Sequence, residues 1–131
     1  MQQEKINPWK WQDQYGFSQA IEVSAASRLL FCAGQIALDE DGKVRCPGDM
    51  RGQIEAAMSN LETVLAVGGL SLSHVIQLNF YTTDVDQLFA HYDVIGSRLA
   101  NAGCQPSSTL LGVNRLAFPE LLIEIEATAA A

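Results

Sequence analysis

Basic residues are scarce in this chain: eight Lys and Arg stand against fifteen Asp and Glu, giving a formal net charge of -7. A surface of that sign repels phosphate backbones unless its few cations cluster on one face. No such run occurs, so nucleic acid is not an expected partner. Cysteine is sparse as well. Cys32, Cys46 and Cys104 are odd in number and far apart, without CxxC or Cys/His ligand spacing, which argues against a disulfide framework and against a zinc site. Reduced thiols in a cytoplasmic protein are the plain expectation. A nucleophilic Cys would need His74 or His91 beside it in space, and inert packed cysteines are the simpler reading. Long apolar runs are also missing. Each is broken by Gly, Gln or charge well short of the ~18 residues of a membrane span. The N-terminal MQQEKINPWKWQDQ is polar and aromatic, unlike a secretory signal.

What is present suits one packed domain over residues 1–131. Hydrophobic residues make up 48% of the chain and charged ones only 18%, and a chain of this length buries roughly two-thirds of the surface its unfolded form exposes. The apolar surplus leads to an expectation of further cover by other subunits.

Phe17, Ile21 and Val23 alternate with polar or small residues, which predicts a half-buried strand over Phe17–Val23. A second strand is expected at Arg28–Ala33, joined to the first as a hairpin through Ser24-Ala25-Ala26-Ser27. Gly34 marks a bend or bulge, and a short apolar piece, Ile36–Leu38, precedes the turn Asp39-Glu40-Asp41-Gly42. Between Asp49 and Val67 apolar residues recur at three- and four-residue steps before Gly68-Gly69, which predicts a helix with its stop. Val75–Thr83 reads as a strand. Asp84, an N-cap with Gln87 three residues on, opens a second helix whose stripe Leu88, Tyr92, Ile95 and Leu99 runs toward Gly103. Strands over Thr109–Leu116 and Leu121–Thr128 complete the order β-β-β-α-β-α-β-β. That order predicts an α+β fold with two helices on one face of a mixed sheet. Leu30, Leu110 and Leu122 are expected on the sheet's other face, covered by partner subunits.

The segments Tyr15-Gly16-Phe17-Ser18-Gln19-Ala20, Ala33-Gly34-Gln35-Ile36, Asn60-Leu61 with Val64-Leu65, Gly69-Leu70-Ser71-Leu72 and Ile123-Glu124-Ile125-Glu126-Ala127 occur together and in order. In this they resemble the RidA (YjgF, L-PSP) family over nearly the whole chain. The resemblance implies a chorismate-mutase-like fold and a homotrimer with clefts between subunits. It also implies hydrolysis of reactive enamines and imines to 2-keto acids and ammonia, without metal or organic cofactor. Other members are described as ribonucleases, translation inhibitors or chaperones.

Carried over residue by residue, the family's water-activating Glu matches Glu124. The Arg that clamps a substrate carboxylate, two residues after the Pro before the penultimate strand, matches Ser108. A guanidinium offers two charge-assisted bonds where a hydroxyl offers one neutral donor, and losing such a partner weakens binding by roughly 2 to 5 kcal/mol. An Asn of the family site aligns with Asp93, a Tyr with Phe17, and the glycine-lined cleft segment with Gly34 and Gln35.

Each candidate has a plainer structural reading. Glu124 is also an outward residue of an alternating strand, Ser108 a strand-entry residue and Gly34 a bulge. Arg28, Arg98 and Arg115 are substitutes for the missing clamp or surface cations. Trp9, Trp11 and Phe17 line a pocket or pack the N-terminal segment. The functional expectation is a small-metabolite hydrolase. A non-catalytic metabolite-binding or regulatory trimer is the alternative, and a ribonuclease is disfavoured by the acidic charge.

Overall fold

The side chain of Asp49 accepts a 3.0 Å hydrogen bond from the Gly52 amide and so caps the longest helix, α1 (Met50–Val67), of the computed structural model, which describes residues 1–131. Gly69 ends the helix in the left-handed region at φ 78°, as a glycine stop should. The expected apolar stripe is the buried one: Ile54, Met58, Leu61 and Leu65 are fully covered, each burial being worth roughly 1.5 to 3 kcal/mol.

That stripe packs on a four-stranded sheet of β3 (Leu29–Gln35), β4 (Val75–Thr82), β5 (Ser107–Gly112) and β6 (Ile123–Ala130), in the order β3-β6-β4-β5. β4 and β5 are parallel, and the other pairs are antiparallel. Leu78 and Phe80 of β4 and Ile123 and Ile125 of β6 face α1 in one apolar cluster. The crossover from β4 to β5 carries α2 (Val85–Ala90) and α3 (Asp93–Asn101), both in contact with α1. A separate two-stranded antiparallel ribbon joins β1 (Gln2–Ile6) to β2 (Ala20–Ser24).

The α+β class and the mixed sheet with helices on one face are as expected. Four details differ from the sequence reading. The expected hairpin between the Phe17–Val23 and Arg28–Ala33 segments does not form: β2 pairs with β1, and β3 pairs with β6. Ala25 adopts φ 57°, and beyond it the amides of Ser27 and Arg28 both bond to Ala131 O, which commits the chain to the C-terminal strand. The second predicted helix is two. Asp84 caps it as expected, accepting from Gln87 N at 3.1 Å, but His91 leaves helical geometry and Tyr92 turns inward, its hydroxyl donating to Tyr15 O at 3.0 Å. The predicted strands Thr109–Leu116 and Leu121–Thr128 are displaced to Ser107–Gly112 and Ile123–Ala130. The fully buried Gln53 accepts from the Leu122 amide at 2.8 Å and holds that residue outside the ladder. Finally, Leu30, Leu110 and Leu122 pack against the helix-side core. The helix-free face instead displays Phe31 and Leu111, 76% and 48% exposed.

Candidate functional site

Side chains alternate across a strand, so register assigns each candidate to a face. Glu124 stands opposite Tyr81, and Tyr81 opposite Leu111, which puts all three on the helix-free face. Ser108 stands opposite Leu78, which is opposite Ala127, and these lie on the helix side. Within one chain Glu124 and Ser108 therefore lie in two separate places.

On the helix-free face, Glu124 lies against Gly34. The β3–β6 register shifts between Cys32 and Gln35, so Gly34 sits in the bulge anticipated from sequence, and the bulge turns its Cα toward the carboxylate. A Cβ at residue 34 would lie 2.0 Å from Glu124 Oε1, a distance no side chain tolerates. Glycine is needed here for space, since the backbone is not in the left-handed region. Gln35, beside it, donates through Nε2 to Ala33 O at 3.1 Å.

Two residues along β6, Glu126 accepts from Tyr81 Oη at 2.5 Å and from Asn79 Nδ2 at 3.2 Å. No protein group donates to the half-buried Glu124 carboxylate. Its cavity, about 380 Å³ in extent and open to solvent, is shared with Tyr81, Val113, Arg115, Leu116 and Glu126. The bond from Tyr81 to Glu126, followed by partial burial and the negative charge of both carboxylates, pushes the Tyr81 phenol above its ordinary range.

Arg115 is the candidate clamp best placed by this arrangement. Arg28 donates to Gly68 O at 2.6 Å, Arg98 pairs with Glu62 at 2.5 Å, and Arg51 is paired with Asp93. Arg115 forms only a 3.3 Å bond to the neighbouring Leu116 O and lines the same cavity as Glu124.

The other candidates meet on the helix side. Phe17 and Ser108 line a cavity of about 210 Å³ together with Trp11, Tyr15, Phe89 and Tyr92, floored by Phe80 and Leu110. Trp11 and Phe17 meet edge to face at 5.7 Å, as do Phe80 and Tyr92 at 6.0 Å. Burial pushes the Tyr92 phenol up to about 12. Ser108 Oγ donates to Leu78 O at 2.6 Å, so its hydroxyl hydrogen is already engaged. Trp9 stays outside, 58% exposed.

Asp93 joins neither group. It begins α3 and forms an exposed two-pronged ion pair with Arg51, at 3.0 and 2.8 Å, which holds its carboxyl below the usual carboxylate range. The histidines stand apart as well. His74 Nδ1 bonds to the Ser71 amide at 3.1 Å, and His91 ends α2. Cys32 and Cys104 are buried, and burial raises both thiols, that of Cys104 to about 11, the opposite of what a nucleophile needs.

Sequence reading missed Tyr15, Phe80, Phe89 and Tyr92 as pocket residues, and Asn79 and Tyr81 as partners of Glu126. A signal for the second group existed. Asn79 and Tyr81 alternate on one face of their strand as Glu124 and Glu126 do on theirs, and two polar faces at matching spacing are natural cross-strand neighbours.

The profile of the family described as Endoribonuclease L-PSP matches residues 12–131. A RutC family protein of Pyrococcus horikoshii is 32% identical over 113 residues, covering 86% of this chain and 85% of that protein. The RutC family protein YjgH of Escherichia coli is 31% identical over 105 residues, covering 78% and 79% respectively. The crystal structure of YyfB from Yersinia pestis, a conserved Rid family protein of unknown function, matches with a TM-score of 0.88 at 34% identity over the whole of both chains.

Proposed function

The chain belongs to the RidA/YjgF/L-PSP family, and from that premise we propose that it is a homotrimeric hydrolase of a small imine or enamine, working in clefts between subunits. The observation that carries this reading is the apposition of Gly34 and Glu124. A carboxylate seated where residue 34 would have a side chain, and bonded to no protein donor, is available to a water molecule and a substrate. Glu124 takes a proton from water as the oxygen adds to the imine carbon. The nitrogen collects protons as the C–N bond breaks, and a 2-keto acid and ammonia leave.

The exposed Phe31 and Leu111 on the helix-free face support burial against neighbours, because single chains rarely leave such a face bare. A neighbouring subunit also supplies what one chain lacks, since Ser108 and Phe17 lie on the opposite face from Glu124. Arg115, sharing the Glu124 cavity, takes over the carboxylate from the family arginine that Ser108 replaces.

A second reading, a metabolite-binding trimer without turnover, is favoured by one observation: the Ser108 hydroxyl is committed to Leu78 O and offers a substrate carboxylate nothing. The test is release of ammonia and keto acid from freshly generated 2-aminoacrylate and bulkier imino acids, by the unmodified protein and by Glu124→Ala, Arg115→Ala and Ser108→Arg variants. Hydrolysis lost in Glu124→Ala and weakened at the level of KM in Arg115→Ala is the expected result. Inactivity of the unmodified protein on the whole panel, with Ser108→Arg active, establishes the binding reading instead.

A further inference from the structure

Six of the chain's ten aromatic residues line the single cavity that contains Ser108. No charged residue lines it. A carboxylate placed inside would lose its hydration with no cation in return, and such burial is strongly unfavourable. The volume suits a ring: the cavity measures about 210 Å³, and an apolar cavity of roughly 150 Å³ is enough to bind benzene.

The polar atoms of the lining narrow the choice further. Ser108 Oγ donates to Leu78 O at 2.6 Å, and Tyr92 Oη donates to Tyr15 O at 3.0 Å. These two hydroxyl hydrogens are spent on backbone carbonyls, so Ser108 Oγ and Tyr92 Oη have only lone pairs left for a ligand. The remaining polar groups of the lining, the Tyr15 hydroxyl and the Trp11 indole N–H, belong to residues 39% and 55% exposed at its rim. The cavity therefore combines aromatic walls with hydrogen-bond acceptors.

We propose that this cavity binds an uncharged aromatic group bearing one N–H or O–H donor, an indole or phenol, as the side chain of the molecule on which the protein acts. Ring faces and edges of the lining accept a flat apolar body, and Ser108 or Tyr92 accepts its donor. The position held by a carboxylate-clamping arginine in relatives thus becomes part of a side-chain pocket, and the substrate's carboxylate lies outside it. The assignment of the ring to a substrate rests on the hydrolytic reading above, whereas the ring-binding chemistry does not.

The experiment titrates the purified protein with p-cresol, 4-methylanisole and 4-methylbenzoate, followed by tryptophan emission and by shifts of the aromatic resonances. p-Cresol should bind saturably, 4-methylanisole at least fivefold more weakly because its donor is blocked, and 4-methylbenzoate not at all. Leu110→Trp, which fills the floor of the cavity, should weaken p-cresol at least tenfold, with folding checked by an unchanged circular dichroism spectrum. Phe89→Ala, at a half-exposed rim position, should weaken it without disturbing the fold. Absence of p-cresol binding, equal binding of 4-methylbenzoate, or indifference to both substitutions overturns the assignment.

A parallel arm compares hydrolysis of imino acids generated in situ from tyrosine and from alanine. A preference of at least tenfold in kcat/KM for the tyrosine-derived imine, abolished in Leu110→Trp, supports the ring as the substrate's side chain. Hydrolysis of both imines without preference sinks that assignment and leaves the hydrolytic reading standing. Ring binding with neither imine hydrolysed sinks the hydrolytic reading, and with it the ring's role as a substrate side chain.

Discussion

Tyr81 bonds to Glu126 rather than to Glu124, although Glu124 is its direct cross-strand neighbour. The two carboxylates of one strand face are thereby made unequal: Glu126 accepts from both Tyr81 and Asn79 through Oε1, and Glu124 accepts from no protein group. Replacing Glu126 with Gln removes the charge that disfavours the phenolate and weakens the bond to the phenol. The Tyr81 titration, followed by ring-carbon NMR, should fall back toward the ordinary value of about 10. A Tyr81 midpoint that stays put in Glu126→Gln contradicts this arrangement.

Gly34 and Glu124 compete for one volume, so their substitutions should be strongly coupled. Gly34→Ala alone forces the carboxylate or the bulge to move, at a cost of about 1 to 3 kcal/mol. In a Glu124→Ala background the added methyl meets an emptied space, and most of that cost should vanish. Urea denaturation of the four proteins in the cycle measures it, and simple additivity would mean that the two residues do not interfere.

Gln53 ties three segments together from a fully buried position. Its amide donates to Glu120 O at 2.8 Å and Cys46 O at 3.3 Å and accepts from Leu122 N at 2.8 Å. Gln53→Leu keeps much of the volume and strands those backbone groups, and an orphaned buried group costs roughly 1 to 3 kcal/mol. The expected loss of unfolding free energy is about 2 to 4 kcal/mol, with the activity of the surviving folded fraction retained.

Tyr92 gives the protein an alkaline limit. Its phenol is raised to about 12 in the folded chain by burial, against about 10 when unfolded. A raised folded value means that the stabilisation is complete below pH ~10 and is lost as the pH climbs toward ~12. Tyr92→Phe should cost about 1 kcal/mol at pH ~8 through the lost bond to Tyr15 O, and it should flatten the decline between pH ~10 and ~12. Denaturant midpoints at the two ends of that window decide the matter.

The parts of the fold that were legible in the sequence are those in which a local pattern meets a local cause. Asp49 and the stripe through Leu65 define α1, and Ile123, Ile125 and Ala127 mark the buried face of the last strand. Pairing was less legible because it is settled at a distance: the partner of β3 is chosen by Ala131, more than a hundred residues away. β1 could not be read at all, since every one of its five residues is exposed and it carries no apolar alternation. For the site, sequence supplied Glu124, Gly34, Phe17 and Ser108 but not their grouping. Which face of a sheet remains bare depends on helix packing, and the pocket of Trp11, Phe17, Phe89 and Ser108 is assembled from segments whose spacing carries no common period.

The β1–β2 ribbon is the part of the molecule that should open first, since two strands alone are marginal in water and its outer strand buries nothing. At its root, however, Ser18 is almost completely buried. Its amide bonds to Pro106 O at 2.8 Å and its hydroxyl to Gln105 O at 2.6 Å, and Gln105 reaches back to Phe17 O and to Asp13. This clasp divides the amide-exchange behaviour of the chain into two regimes. Protons of the ribbon trade with solvent through local fraying, while the Ser18 amide and those of the segment that carries Ser108 exchange only when the body of the protein unfolds.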